Sequence, residues 1–385
     1  MPPPPIYLDH NATTALDPRV WEAMRPYFLG AGNAESRHTA GRRARRAWDE
    51  ARETVARVLG AEADEVVFTS GGTEANNLAV FGLTDEAGPG RVVASPIEHP
   101  SVAEAVGLLE ERGFTVDRPP VDDEGTADAE AMAALLDDQT RLATLMLANN
   151  ETGALQPVAR LAELAAARGV PVHTDAVQAV GRVPVDFRAL GVATLAASAH
   201  KFHGPVGVGV LLVRKGTKLT PRLIGGGQQQ GRRPGTVAVP LAVGLATALD
   251  LWQAEAEART ATWNALATRL ERGITTALGP DRVVRNGPAD PSRRLPQTVN
   301  LGFVGLDGDA LLMQLDLAGV AVSLGSACAS GSTQPSPTLL AMRVPPDRLR
   351  SSVRFSLGAF TTEAEIDEAI RCVVAAVERL TAISG

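Results

Sequence analysis

Residues 194–213 read TLAASAHKFHGPVGVGVLLV. Two apolar runs, each the length of a buried strand, flank a polar cluster of Ser198, His200, Lys201 and His203 and a Gly/Pro step. A lysine between buried strands is costly unless it snorkels outward, is paired, or is held inside for chemistry. Outward from this stretch the same grammar repeats. Strand-like runs stand at 65–70 (EVVFTS), 91–97 (RVVASPI), 141–149 (RLATLMLAN) and 170–176 (VPVHTDA), with the pair at 194–200 and 208–214. Between them TEANNLAVFGL, SVAEAVGLLEERG, AEAMAALLDD and VARLAELAAARG carry apolar residues at helical spacing. Alternating strands and helices imply an α/β fold with a mostly parallel sheet covered on both faces, and such sheets bind ligands beyond the strand carboxyl ends.

The 385 residues suit one large and one smaller domain. Residues 225–236 (GGGQQQGRRPGT) read as a loop, followed by a long helical stretch. Strand-like QTVNLGF and SVRFSLG then alternate with helical GDALLMQLDLAG and TEAEIDEAIRCVVAAVERL, which suggests a second, α+β domain from about residue 253 to the end. A net charge of −7 argues against non-specific nucleic-acid binding. The basic stretch GRRARRAW at 41–48 is better read as a solvated helix face than as a binding patch. No apolar run reaches membrane-spanning length, and MPPPPIYLD lacks the form of a signal peptide. The two cysteines, Cys328 and Cys372, form no CxxC pair and fit a reducing, cytoplasmic setting.

Four strand ends carry polar groups. Gly71 and Gly72 lead into a helix whose first turn offers Thr73, an anion site or a simple helix start. Asp175 ends an apolar run with Gln178 three residues on; a buried carboxylate there needs a donor or caps the next helix. Ser198 and His200 flank Lys201, and His99 follows a strand before Pro100. Each is ambiguous alone. Together, an anion cradle, a strand-end aspartate, an imidazole and a buried lysine are the parts of a pyridoxal 5′-phosphate site. A metal held by His200 and His203 fits poorly, for want of a third ligand nearby.

At these residues the chain resembles the class V aminotransferase family of pyridoxal-phosphate fold type I, and within it the group I cysteine desulfurases. The resemblance is carried by YLDHNATT (7–14), GNAESRH (32–38), FTSGGTEANNLA (68–79), EHPSV (98–102), NNETGALQP (149–157), HTDAVQAVG (173–181), SAHKFHGPVGVG (198–209), GGGQQQGRRPGT, GSACASGS (325–332) and SVRFSLGAFTTEAEID (352–367). It implies a seven-stranded sheet in a large domain of residues 14–252, with residues 1–13 and 253–385 forming a small domain. It implies Lys201 as the Schiff-base lysine, Asp175 on the pyridine nitrogen, Gln178 on the ring hydroxyl, and His99 stacked on the ring and moving protons. Gly72, Thr73, Ser198 and His200 would hold the phosphate, completed by Thr236 of the partner subunit in a homodimer. Asn150 and Arg354 would address cofactor and substrate carboxylate, a bidentate arginine being suited to that task.

Aminotransferase chemistry needs no cysteine. Cys372 lies in an apolar helical run and reads as packing, whereas Cys328 lies among small, turn-forming residues that have little to bury. The resemblance makes Cys328 the nucleophile that takes sulfur from L-cysteine, leaving L-alanine and a persulfide. That sulfur would pass to an acceptor protein such as an iron–sulfur scaffold or a tRNA-thiolation enzyme. A selenocysteine lyase, or another class V enzyme, is the alternative on the same scaffold. The chain departs from the commonest pattern at Ala34, Gln229 and Leu324, where proline, glutamate and a small residue are usual.

Overall fold

The structure, a computed structural model, describes residues 5–85, 88–324 and 335–384. Its strands are β1 (Ile6–Tyr7), β2 (Val66–Thr69), β3 (Arg91–Ala94), β4 (Thr115–Asp117), β5 (Thr140–Thr144), β6 (Val172–Asp175), β7 (Thr194–Ser198), β8 (Gly209–Val213), β9 (Val283–Arg285), β10 (Thr298–Phe303), β11 (Val320–Ala321) and β12 (Ser352–Ser356). Seven of them form one sheet in the order β2-β8-β7-β6-β5-β3-β4. Only β8 runs against its neighbours; the other pairings are parallel. β2, β6, β7 and β8 are buried along their whole length; β2, β7 and β8 are accordingly near-continuous apolar runs rather than alternating ones, while β6 carries buried polar groups. Gly209 is required by closeness alone: a Cβ there would lie 2.7 Å from the carbonyl oxygen of Ala197 and from the Gly71 backbone.

Helices cover both faces. The Thr39–Leu59 helix buries Ala44, Ala47, Trp48, Ala51 and Val55 against the sheet. The arginines of the 41–48 stretch face solvent, Arg45 paired with Asp49 and Arg46 with Glu50, so the basic stretch is the solvated face expected. The Val239–Leu278 helix is 40 residues long and joins two apolar clusters. Val239, Leu245 and Leu249 belong to the sheet's cluster, while Trp263, Leu270 and Ile274 belong to a second one, with Leu8, Val299, Phe355 and Val373. The division expected near residue 253 thus falls inside one helix.

In the second cluster β12, β10 and β9 make an antiparallel sheet, and β1 pairs in parallel with β11. A bridge from Asp9 to Ser356 ties the N-terminal segment to β12. Cys372 is buried here, and burial followed by the nearby Glu368 charge pushes its thiol pKa up, as suits a packing residue. All six strands read from apolar runs are present. The seventh, β4, is a short edge strand, exposed to half-buried, and leaves no apolar run to read. The run at 141–149 is strand only to Thr144; beyond it the backbone turns to build the site.

Candidate active site

The carboxyl ends of β2, β3, β5, β6 and β7 open on one cavity of about 280 Å³. Gly72, Thr73, His99, Asn150, Asp175, Gln178, Ser198, His200 and Lys201 all line it, together with Ala12, Asn76, Ser101, Met146, Ala148 and Val177. Residues spread over more than 120 positions of chain meet because each follows a strand of the same direction.

Each group is fixed by its local backbone. Asp175 is the last residue of β6; its Oδ1 accepts from the Val177 N–H at 2.9 Å and its Oδ2 from Asn76 Nδ2 at 2.7 Å. Among the described residues no cationic side chain is in ion-pair contact with it. His99 caps the Pro100–Glu111 helix, its Nδ1 accepting from the Ser101 N–H at 3.1 Å, with Ser101 Oγ 2.8 Å away. A backbone N–H only donates, so Nδ1 is the acceptor and the neutral ring carries its proton on Nε2. Burial lowers the His99 pKa, opposed by Asp175 and reinforced by Lys201.

Behind these groups lies a hydrogen-bond chain that fixes every orientation. Asp175 accepts only, so Asn76 presents Nδ2 to it and to Ser101 Oγ, at 2.8 Å. Asn76 Oδ1 must then face a donor, which is His173 Nε2 at 3.1 Å, and His173 Nδ1 accepts from Thr194 Oγ1 at 2.9 Å. Burial takes His173 down to about 4, so the ring is neutral and the tautomer is set. The Asn76–His173 pair was not singled out from sequence. The available signal was two consecutive asparagines in an otherwise apolar helix.

Lys201 sits in a single turn after β7, and its Nζ donates to the carbonyls of Asn11 at 2.7 Å and Ala12 at 2.9 Å. It is one of only three lysines, against 37 lysines and arginines in all. His200, lowered to about 4 by burial and by Lys201, has Nδ1 3.1 Å from Thr13 Oγ1. Both ring nitrogens of His203 serve the backbone, at Ala15 O and the Ala359 N–H, which leaves none for a metal shared with His200. Gln178 donates to Asn11 O at 2.9 Å, while its Oε1 is buried with no hydrogen-bond partner among the described residues.

Three expected residues stand apart. Arg354 does not line the cavity. It lies one step behind, donating to Asn150 O at 3.0 Å and to Asp9 Oδ1 at 2.6 Å, with Nε buried and without a hydrogen-bond partner among the described residues. Thr236 is exposed and lines no part of the cavity of its own chain. Cys328 lies outside the described residues. The described chain on either side is tied to the site: Ser323 pairs with the Arg354 backbone, and Ser336 Oγ donates to Glu151 Oε2 at 2.6 Å, next to Asn150.

The loop before Thr236 is also anchored. Gln229 reaches the edge strand β2, accepting from the Phe68 N–H at 2.7 Å and donating to Phe68 O at 2.9 Å, and Arg233 pairs with Glu74 in the first turn of the Gly72–Thr84 helix. A glutamate at 229 could accept from Phe68 but not donate to it.

The family model of aminotransferase class-V matches residues 6–369. A protein named cysteine desulfurase from Trichormus azollae is 43% identical, over 98% of this chain and 94% of its own. One named cysteine desulfurase NifS from Azotobacter vinelandii is 42% identical over the same shares. A solved structure titled NifS-like protein superposes with a TM-score of 0.90 at 33% identity, covering 98% of this chain and all of that one. By its sequence along nearly its whole length, and by a sheet that gathers these side chains at one set of strand ends, the chain belongs to the aminotransferase class-V family.

Proposed function

We propose that the protein is a pyridoxal-phosphate-dependent cysteine desulfurase. The observation that carries the cofactor reading is one cavity in which a lysine, a carboxylate with no cationic partner among the described residues and a helix start face one another. The donor set fits the group. Asp175 offers an anion where a protonated ring nitrogen would sit, and the partnerless Gln178 Oε1 offers an acceptor to a ring hydroxyl. Gly72 leaves a cradle in which a Cβ would lie 2.8 Å from Val177 Cγ2, so backbone N–H groups are open to a phosphate. In a chain whose basic residues are mostly arginine, a lysine is kept here, where a nucleophilic amine is needed and a guanidinium cannot serve.

Lys201 would hold the cofactor's aldehyde, Asp175 its ring nitrogen and Gln178 its hydroxyl. Gly72, Thr73, Ser198 and His200 would hold its phosphate, with Thr236 of the partner subunit in a homodimer. When bound, pyridoxal phosphate supplies an electron sink for the amino acid's α-carbon. His99, neutral and with its proton on Nε2, would lie against the ring and move protons at that atom. Arg354 and Asn150 orient the substrate carboxylate. Cys328 attacks the substrate sulfur as a thiolate: its S–S bond forms, the substrate C–S bond breaks, and the carbon fragment is protonated. L-cysteine and a thiol thus give L-alanine and a persulfide, with atoms balanced and no external oxidant. The persulfide passes to a sulfur-acceptor protein in the cytoplasm. Anchorage of Ser323 and Ser336 on residues beside Arg354 and Asn150 supports delivery of this segment to the site.

The purified protein is expected to convert L-cysteine to L-alanine and to carry its extra sulfur on Cys328 by peptide mass spectrometry. Cys328→Ser should keep the cofactor absorbance and its change on adding cysteine, yet lose at least 99% of the alanine formed, because a serine hydroxyl is a far poorer sulfur acceptor. Turnover by Cys328→Ser at near the parent rate, or a persulfide on Cys372, would sink the desulfurase reading.

A further inference from the structure

Among the described residues, Arg182 is a fully buried charge without a counter-ion that the functional reading leaves unused. It is 1% exposed, and among the described residues no carboxylate pairs with it. A buried guanidinium without an anion is costly, and burial, followed by Arg259 and Arg354, draws its pKa down to about 9. Its donors go instead to one place. Nε and Nη2 both donate to the carbonyl of Lys201, at 3.1 and 2.5 Å; Nη2 also donates to the carbonyl of His10 at 3.1 Å, and Nη1 approaches Asn11 Oδ1 at 3.4 Å.

These contacts close a loop. The Lys201 ammonium rests on the carbonyls of Asn11 and Ala12, and Arg182 binds the backbone on both sides of that contact: Lys201's own carbonyl, and the segment that begins at His10. The two segments lie 190 positions apart in sequence. Apart from the lysine's own amine, Gln178 is the other side chain of the Asp175–Arg182 turn that reaches Asn11. A planar five-donor fork can span two backbones at once, whereas a lysine at 182 makes a point contact.

We propose that Arg182 is a positioning residue that holds Lys201 in register with the two carbonyls receiving its ammonium. The Asn11 and Ala12 carbonyls form a resting cradle for the amine whenever it is not joined to the cofactor, and Arg182 fixes that cradle's distance from the lysine backbone. The proposal rests on the reading of Lys201 as the cofactor lysine.

The test uses the full-length chain stripped of cofactor, as wild type, Arg182→Lys and Arg182→Met. Pyridoxal phosphate is added, the adduct is fixed with borohydride at intervals, and each lysine is quantified by peptide mass spectrometry, with Lys215 and Lys218 as internal controls. In parallel a small water-soluble acylating ester measures how accessible each amine is. In Arg182→Met the rate of cofactor attachment at Lys201 should fall at least about tenfold, and acylation of the released amine should rise at least about threefold, with Lys215 and Lys218 unchanged. Arg182→Lys, which keeps the charge and loses the fork, should fall at least about threefold in attachment, and in a further variant, Arg182→Ala, added guanidinium should restore part of the rate. A merely structural arginine would change the thermal midpoint and leave the Lys201-to-control ratios alone. Ratios within twofold of wild type overturn the proposal. Should Arg182→Met fail to fold, Arg182→Lys decides it on the same criterion. If wild type attaches the cofactor to Lys215 or Lys218, the cofactor reading fails, and the register proposal is judged on the acylation ratios alone.

Discussion

Asp175 and Arg354 are both buried charges at the candidate site, and the protein treats them in opposite ways. Asp175 is 5% exposed, and its contacts are two neutral N–H donors, Val177 and Asn76. Arg354 is 3% exposed and already has an anion, Asp9, 2.6 Å away. Neutral donors stabilise a carboxylate without cancelling its charge, so Asp175 presents a net negative field to the cavity. The Arg354–Asp9 pair is nearly self-cancelling; a substrate carboxylate gains from Arg354 only by competing with Asp9 or by using the unpartnered Nε. The field at Asp175 is preorganised for a cation, while the charge at Arg354 must be redirected.

That contrast ranks the consequences of removing each charge. Asp175→Asn keeps the shape and removes the field, so cofactor should still bind but kcat should fall at least about a thousandfold, roughly 4 kcal/mol of lost stabilisation. Steady-state alanine formation and the cofactor absorbance give the two halves of this expectation. A variant that keeps a tenth of the parent kcat would break the assignment of Asp175 to the ring nitrogen. Arg354→Met should act mainly on KM for L-cysteine, raising it about ten- to a hundredfold, the range of one or two charge-assisted hydrogen bonds. A drop confined to kcat would place Arg354 elsewhere in the cycle.

The same contrast explains how much was legible beforehand. Strands β2, β3 and β5 to β8 are buried on both faces, and burial leaves an apolar run that any reader can find. Lys201, Asp175 and His99 stand out because they interrupt such runs at their carboxyl ends. What could not be read is partnership across the chain. Nothing in HTDAVQAVGR announces that Arg182 will grip the carbonyls of His10 and Lys201, and nothing near Asp9 points to Arg354, 345 positions away. These are tertiary bonds to backbone or to single side chains, and they leave no period in the sequence. The short edge strand β4 escaped for a related reason, since it buries too little to be marked.

A smaller change sharpens the comparison from the other side. Asp9→Asn removes the anion that competes for Arg354 and keeps a hydrogen-bond acceptor in its place. Arg354 is then closer in character to Asp175, a buried charge without a counter-ion among the described residues. L-cysteine should bind more tightly, with KM falling about two- to fivefold, within the roughly 1 kcal/mol of a modest charge pair. Thermal stability should fall at the same time, because the uncompensated guanidinium stays buried. If KM rises instead, Asp9 is a necessary orienter of Arg354 rather than its competitor.

Glu98 is a third buried ionisable group beside the site, and among the described residues it has no counter-ion. Its Oε1 accepts from Thr144 Oγ1 at 3.2 Å and the Met146 backbone also favours its charged form, but burial and then the Asp175 charge push its pKa up to about 8. The folded protein therefore keeps a proton on Glu98 that the unfolded chain releases near its ordinary value of 4.5. Folding takes up a proton in that window, so this contribution to stability is greatest below about 4.5 and is lost progressively as pH rises through about 8. Glu98→Gln has no proton to keep. Measured by thermal or urea unfolding from pH 5 to 8.5, wild type should lose stability relative to Glu98→Gln by an amount on the order of a few kcal/mol. Because the Asp175 charge is part of the cause, Asp175→Asn should flatten the wild-type slope, whereas Arg354→Met should leave it largely intact. Parallel pH profiles for wild type and Glu98→Gln would mean that Glu98 is already ionised in the folded protein, and the neutral donors around Asp175 would then be serving two charges rather than one.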